Sequence, residues 1–229
     1  MFAREHIGIS REIKDLLIAD LVLTLAFDFV FNGGIESAPG IGALAFFFPI
    51  ALVAVTFSFV LHEYMHKVVA EHYGAVAAFR KSDTGLIITL LTSMFGFLIG
   101  LPGATVIYTS YFTKKEDAYV SLAGPLTNFA VFIAFFALSL LVPVHSYLYQ
   151  MFFYTMLISI ILAFFNMLPI FPLDGSKVFR WNKLVYFAIM AVIFALLLLI
   201  FPTPWLIGDL VIMFVLAFIM SMFTRAVLF

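Results

Sequence analysis

Three titratable residues lie within five positions at the end of an apolar run: His62, Glu63 and His66, in "FSFVLHEYMHKVV". The spacing is HExxH. On a helix, residues four apart share one face about a turn from each other, so the two imidazoles can grip one zinc ion. The Glu between them reaches a metal-bound water, whose pKa zinc lowers to about 7, and takes its proton as general base. The chemistry to expect is hydrolysis, with a peptide bond as the target. A five-residue pattern also arises by chance, but an ionisable group inside a membrane helix costs several kcal/mol unless paired or wet, which marks such groups as functional candidates.

A catalytic zinc takes three protein ligands and keeps one position open. The chain has no cysteine. His72 follows His66 by six residues, on a poorly matched helix face, His145 falls in an expected outer loop, and His6 lies near the N-terminus. Asp174 is the better candidate. In "FFNMLPIFPLDGSK", residues 164–177, Pro169 and Pro172 stop a helix and bias the residues before them towards extended backbone, and Asp174 and Gly175 follow. A plain Asp-Gly turn closing a membrane span is the competing reading.

The elements that must carry these residues are membrane helices. The 229 residues are 65% hydrophobic and 11% charged, against about 25% charged in ordinary soluble domains. A net charge of −1 excludes a nucleic-acid binder working by bulk basicity. The expected fold is an all-α polytopic membrane protein of one domain, 1–229, with six transmembrane helices near 16–32, 41–72, 118–142, 147–168, 183–201 and 205–227. Pro49 is expected to start or kink a helix within the second span. The apolar stretch 85–108 is too rich in Gly and Pro for one straight helix and sits between Lys81 and Lys114. It is expected to be a re-entrant or interfacial β-like segment, with a strand or hairpin starting at Ile87, Ile88 and Thr89.

Charge decides the orientation. With six alternating spans and the N-terminus in the cytoplasm, all twelve Lys and Arg fall on the cytoplasmic side, and the outer loops near 33–40, 143–146 and 202–204 hold none. Both termini and the HExxH end of the second span are then cytoplasmic, with the site just inside the membrane. Asp20 and Asp28, in the first span, mark either a polar path or local pairing. Asp117 and Asp209 are expected to cap the openings of later spans.

Taken together, "HEYMH" at 62–66, "GPLTN" at 124–128 and "NMLPIFPLDG" at 166–175 resemble, in type and order, the motifs of the site-2 protease family of intramembrane zinc metalloproteases. The resemblance covers about residues 41–180, which it marks as the catalytic core; the outer spans 16–32 and 183–227 match only in number and polarity. It implies one zinc ion held by His62, His66 and Asp174, with Glu63 as general base. It implies regulated intramembrane proteolysis, with a transmembrane protein or peptide as substrate and the lipid bilayer as surroundings. It also brings Asn128 and Asn166 near the catalytic site, where an Asn amide steadies an oxyanion or holds substrate backbone, or else bonds helix to helix. The pattern is the compact form: no loop is long enough for the PDZ or CBS domains of many members, so no partner domain is expected in the chain. Extended segments at 86–91 and 169–173 are expected to clamp an unwound substrate by strand addition.

Two other classes compete. A prenyl-protein type of membrane metalloprotease draws its third ligand from a later Glu or His, but no Glu follows residue 117 and the only later His is His145. A non-enzymatic scaffold or transporter with an inert HExxH would hold no metal.

Overall fold

The computed structural model describes residues 9–108 and 111–200, together with 208, 211, 212, 214, 215 and 218. The first helix, α1 (Ile9–Phe31), has two contrasting faces. Ile13, Leu17, Leu21 and Leu25 recur every fourth residue and are exposed, as befits lipid contact, while Asp20, Thr24 and Asp28 follow the same spacing on a buried face. Asp28 accepts from the Asn32 amide at 3.0 Å, which is the local pairing expected for it. Asp20 instead bonds across to the hydroxyl of Thr56 at 3.1 Å.

A helix of 32 residues, Ile41–His72, follows. It divides into α2 (Ile41–Val55), a π-helical turn (Thr56–Val60) and α3 (Leu61–His72), with Pro49 inside α2 rather than at a start. The π turn ends two residues before His62 and so sets the rotation at which the HExxH face leaves it. Such single π turns inside α-helices are frequent at functional sites.

Beyond α3 come strand β1 (Ala77–Lys81), helix α4 (Asp83–Ser93) and strand β2 (Gly103–Ile107). The two strands pair antiparallel with Phe79 opposite Thr105. The stretch 85–108 is thus β-like only at its end. Residues 87–89 are helical, against the expected strand start, because Ser82 caps the helix by accepting from the Gly85 amide at 3.1 Å and Asp83 suits its positive end. The Thr89 hydroxyl then ties the returning chain down, donating to the Ile99 carbonyl at 2.8 Å and accepting from the Leu101 amide at 3.0 Å.

Three further long or apolar helices and one short one complete the described chain: α5 (Lys114–Ser139), α6 (Tyr147–Asn166), α7 (Asp174–Trp181) and α8 (Lys183–Ile200). Thr113 and Glu116 form the capping box of α5, so Asp117 is not its cap but pairs with Lys177 of α7 at 3.4 Å. α5 packs along α6 and against α3 and α7. Its core with α6 and α8 is built from Leu122, Phe132, Met156, Ile160, Met167 and Ile193. A second core joins α1 to the π turn, β1 and α4 through Leu23, Phe59, Phe79 and Leu86.

Among the described residues, four helices are long and apolar enough to cross a membrane: Ile41–His72, Lys114–Ser139, Tyr147–Asn166 and Lys183–Ile200. Of the six spans expected, α1 carries too much charge to join that group. The sixth, 205–227, lies almost wholly outside the described residues, as does Asp209.

Candidate metal centre

α3 delivers His62 and His66 to one face, both buried, with exposures of 2% and 8%. Asp174 comes from the first turn of α7, more than a hundred residues later. Between α6 and α7 the chain runs through Pro169 and Pro172 without regular structure and returns on itself. Gly175 allows the return: a Cβ there would collide with the backbone carbonyls of Met167 and Leu168, so only glycine lets α7 start against the end of α6.

The three side chains meet. His62 Nε2 and His66 Nε2 are 3.0 Å apart, and the Asp174 carboxylate lies 3.5 Å from the first and 3.2 Å from the second. A tetrahedral metal with ligands at 2.0–2.1 Å separates them by about 3.3 Å, so the triangle has the right size for zinc. The chemistry of the donors agrees. His66 Nδ1 lies 2.7 Å from the Val120 carbonyl, which only accepts, so Nδ1 carries the proton and Nε2 of the neutral ring presents a lone pair to the triangle. A pocket of electron-rich atoms pointed at one another calls for a cation, and the residues fit one.

One face of α5 frames the pocket through Val120, Gly124 and Asn128, each four residues after the last. Val120 holds His66. A Cβ at Gly124 would lie 2.5 Å from His62 Cε1 and Nε2 and from His66 Nε2, so the absent side chain is what makes room for the rings. Its spacing of four from Asn128 in "GPLTN" was the signal available in the sequence. Asn128, fully buried, sets its amide 3.1 Å from His62 Nδ1.

Glu63 is buried beside the histidines and is held by β2. Its carboxylate accepts from both the amide and the hydroxyl of Thr105, each at 2.8 Å. This fixes which edge of the sheet faces the centre. The Tyr108 amide bonds the Val76 carbonyl and the Ser82 amide bonds the Pro102 carbonyl, so even-numbered positions pair across the ladder and odd-numbered ones point outward. On β1 the outward Phe79 amide is capped by Glu12 of α1 at 3.3 Å. On β2 the outward Thr105 amide is capped by Glu63. The extended edge beside the centre is therefore β2. The segments expected to clamp, 86–91 and 169–173, are respectively helix and irregular turn, because capping at Ser82 and the two prolines decide their backbones.

Asn166 ends α6 with its amide donating to the Leu162 carbonyl at 3.1 Å, a bond within its own helix. His72 stacks edge-on against Tyr73, and neither it nor His145 joins a metal-binding cluster among the described residues. Basic residues gather at the sheet end: Lys67 pairs with Glu12 at 2.6 Å and Arg80 with Asp15 at 3.7 Å.

No family model matches the chain. Among curated proteins it is 43% identical over 178 residues to "Putative zinc metalloprotease MJ0611" of Methanocaldococcus jannaschii, covering 77% of this chain and 87% of that protein. "Zinc metalloprotease MJ0392" of the same organism is 26% identical over 134 residues, 58% of this chain and 34% of its own length. Among solved structures, a site-2 protease from Methanocaldococcus jannaschii is matched over 89% of this chain and 83% of its own, at 21% identity and a TM-score of 0.41.

Proposed function

The chain belongs to the site-2 protease family of zinc metalloproteases, and from that premise we propose that it hydrolyses peptide bonds within membrane-embedded helices of other proteins. It is a membrane metallopeptidase and its cofactor is zinc. The observation that carries the finer reading is the position of the metal triangle: two of its three members lie on a helix long and apolar enough to span a bilayer.

In this reading His62, His66 and Asp174 hold the ion, within a catalytic core of about 41–180. When bound, zinc supplies Lewis-acid chemistry that makes water a nucleophile near neutral pH. Glu63, next to His62 in the chain and held in place by Thr105, would take the proton from that water and pass it to the departing amine. A helical substrate hides its carbonyls in its own hydrogen bonds, so it must unwind before it is cut. The outward edge of β2 offers an unwound segment a strand to pair with on either side of Thr105, whose own amide is taken by Glu63. The ion pairs of Lys67 and Arg80 support a cytoplasmic position for this end of the molecule and for the N-terminus. Asn166, engaged within its own helix, has its carbonyl oxygen left to meet substrate; Asn128 is buried and turned to His62.

The test is incubation of the purified chain with a panel of single-span membrane proteins, wild type against Glu63→Ala, with zinc content measured on both. Loss of a general base slows proteolysis by about 10²–10⁴-fold while zinc stays at the wild-type level. Zinc-dependent cleavage that survives Glu63→Ala would overturn the assignment, and cleavage confined to soluble peptides would overturn the substrate class.

A further inference from the structure

We propose that Asn128 is a positioning residue that fixes the tautomer of His62, its side-chain carbonyl accepting a hydrogen bond from His62 Nδ1–H. The inference rests on the zinc reading above and assigns to Asn128 a task that neither oxyanion binding nor helix pairing describes.

Asn128 and His62 are buried to 0% and 2% exposure and touch at 3.1 Å. A ring nitrogen and an amide at that distance share one proton, and two arrangements are available. If the amide nitrogen donates, His62 Nδ1 is an acceptor and the ring proton sits on Nε2. That atom faces His66 Nε2 at 3.0 Å and Asp174 at 3.5 Å, where a metal ligand needs a lone pair and not an N–H. The same arrangement leaves the Asn128 carbonyl oxygen buried without a hydrogen-bond donor among the described residues. A half-turn of the amide exchanges its two atoms without changing its shape. The carbonyl then accepts from Nδ1–H, Nε2 keeps its lone pair, and no acceptor is stranded. Only this second arrangement satisfies the ring and the ion together; the amide, whose NH2 then takes the place of the oxygen, does not decide between the two.

His66 gives the precedent inside the same site. Its Nδ1 is held by the Val120 carbonyl at 2.7 Å, and Val120 and Asn128 sit two turns apart on the face of α5 that carries Gly124 between them. One helix face therefore orients both imidazoles by the same device, an oxygen accepting from each Nδ1–H. Partners of this kind fix ring orientation and raise ligand basicity, and losing one costs about 10–100-fold in metal affinity.

The experiment measures zinc affinity by competition with a chromogenic chelator, on the full chain in detergent, for wild type, Asn128→Leu and Asn128→Asp, with thermal unfolding of the zinc-free proteins alongside. Leu matches the size of Asn but accepts nothing, and its zinc affinity should fall about 10–100-fold. Asp keeps the acceptor and lacks the amide donor, and should stay within about threefold of wild type or bind more tightly. Wild-type affinity in Asn128→Leu overturns the proposal. So does an Asn128→Asp protein as weak as the Leu variant, because donation and not acceptance would then be what matters. A zinc-free Leu variant that unfolds far below zinc-free wild type also overturns it, since the amide would be holding helices together. Absence of zinc binding in wild type itself would bring down the metal reading, an outcome distinct from the other three.

Discussion

Adding a single methyl group at Gly124 tests the metal centre without replacing any of the residues proposed to hold the ion. In Gly124→Ala the new Cβ would stand 2.5 Å from the His62 and His66 ring atoms, whereas ordinary contact begins at 3.4 Å, so one or both rings must retreat by about 0.9 Å. Zinc–ligand distances tolerate only about 0.2 Å. The rings have little freedom to re-form the triangle elsewhere, because Val120 and Asn128 anchor their far nitrogens. Zinc affinity should therefore drop by more than about 100-fold, beyond what loss of an outer partner costs, and proteolysis should go with it. The fold should survive. Alanine is favoured over glycine in a helix by about 1 kcal/mol, and overpacking costs about 1–3 kcal/mol. The net loss of about 2 kcal/mol at most lowers the melting temperature of the zinc-free protein by no more than about 8 °C. The assay is metal analysis of protein purified without chelator, followed by chelator competition and a zinc-free melting curve. One zinc per chain at wild-type affinity in Gly124→Ala would refute the reasoning, since the α5 face could not then be packed on the two rings.

Gly175→Ala should behave differently, because its Cβ meets backbone carbonyls that cannot swing aside: a stability loss of about 1–3 kcal/mol should accompany weakened zinc binding as Asp174 is lifted away, measured by thermal unfolding and metal content on the same samples. Thr105→Val removes the hydroxyl that bonds Glu63 at 2.8 Å but leaves the backbone amide in place. Steady-state kinetics should show kcat lowered by about tenfold, the equivalent of one charge-assisted hydrogen bond of about 1.5 kcal/mol, with zinc content unchanged; an unaltered kcat would mean that the strand does not orient the base.

The sequence determined the donor set. HExxH fixes two imidazoles and a carboxylate on one helical turn whatever surrounds them, since a four-residue spacing is local geometry. The proline pair before Asp174 likewise announced a broken helix, because proline lacks the amide a helix needs. Apolar run length announced six spans, of which four are found as membrane-length apolar helices among the described residues.

The tertiary structure decided what those residues do for one another. That Asp174 reaches the histidines depends on Gly175 lying against the end of α6, a contact between segments that no local pattern encodes. That Gly124 is space for two imidazoles, and that Val120 holds one through its carbonyl, could not be read from residue types: every residue has a carbonyl and glycine serves many purposes. The strand beside Glu63 was misplaced to 86–91 for a related reason. β-branched residues there suggested an extended chain, but the Ser82 cap and packing of Leu86 against α1 made it helix, and the strand formed where Gly103–Ile107 found β1 to pair with. Helical spacing is a property of neighbours in the chain, and so it was legible. The closing of the site depends on backbone atoms and empty volume brought together by packing, and those belong to no residue's identity.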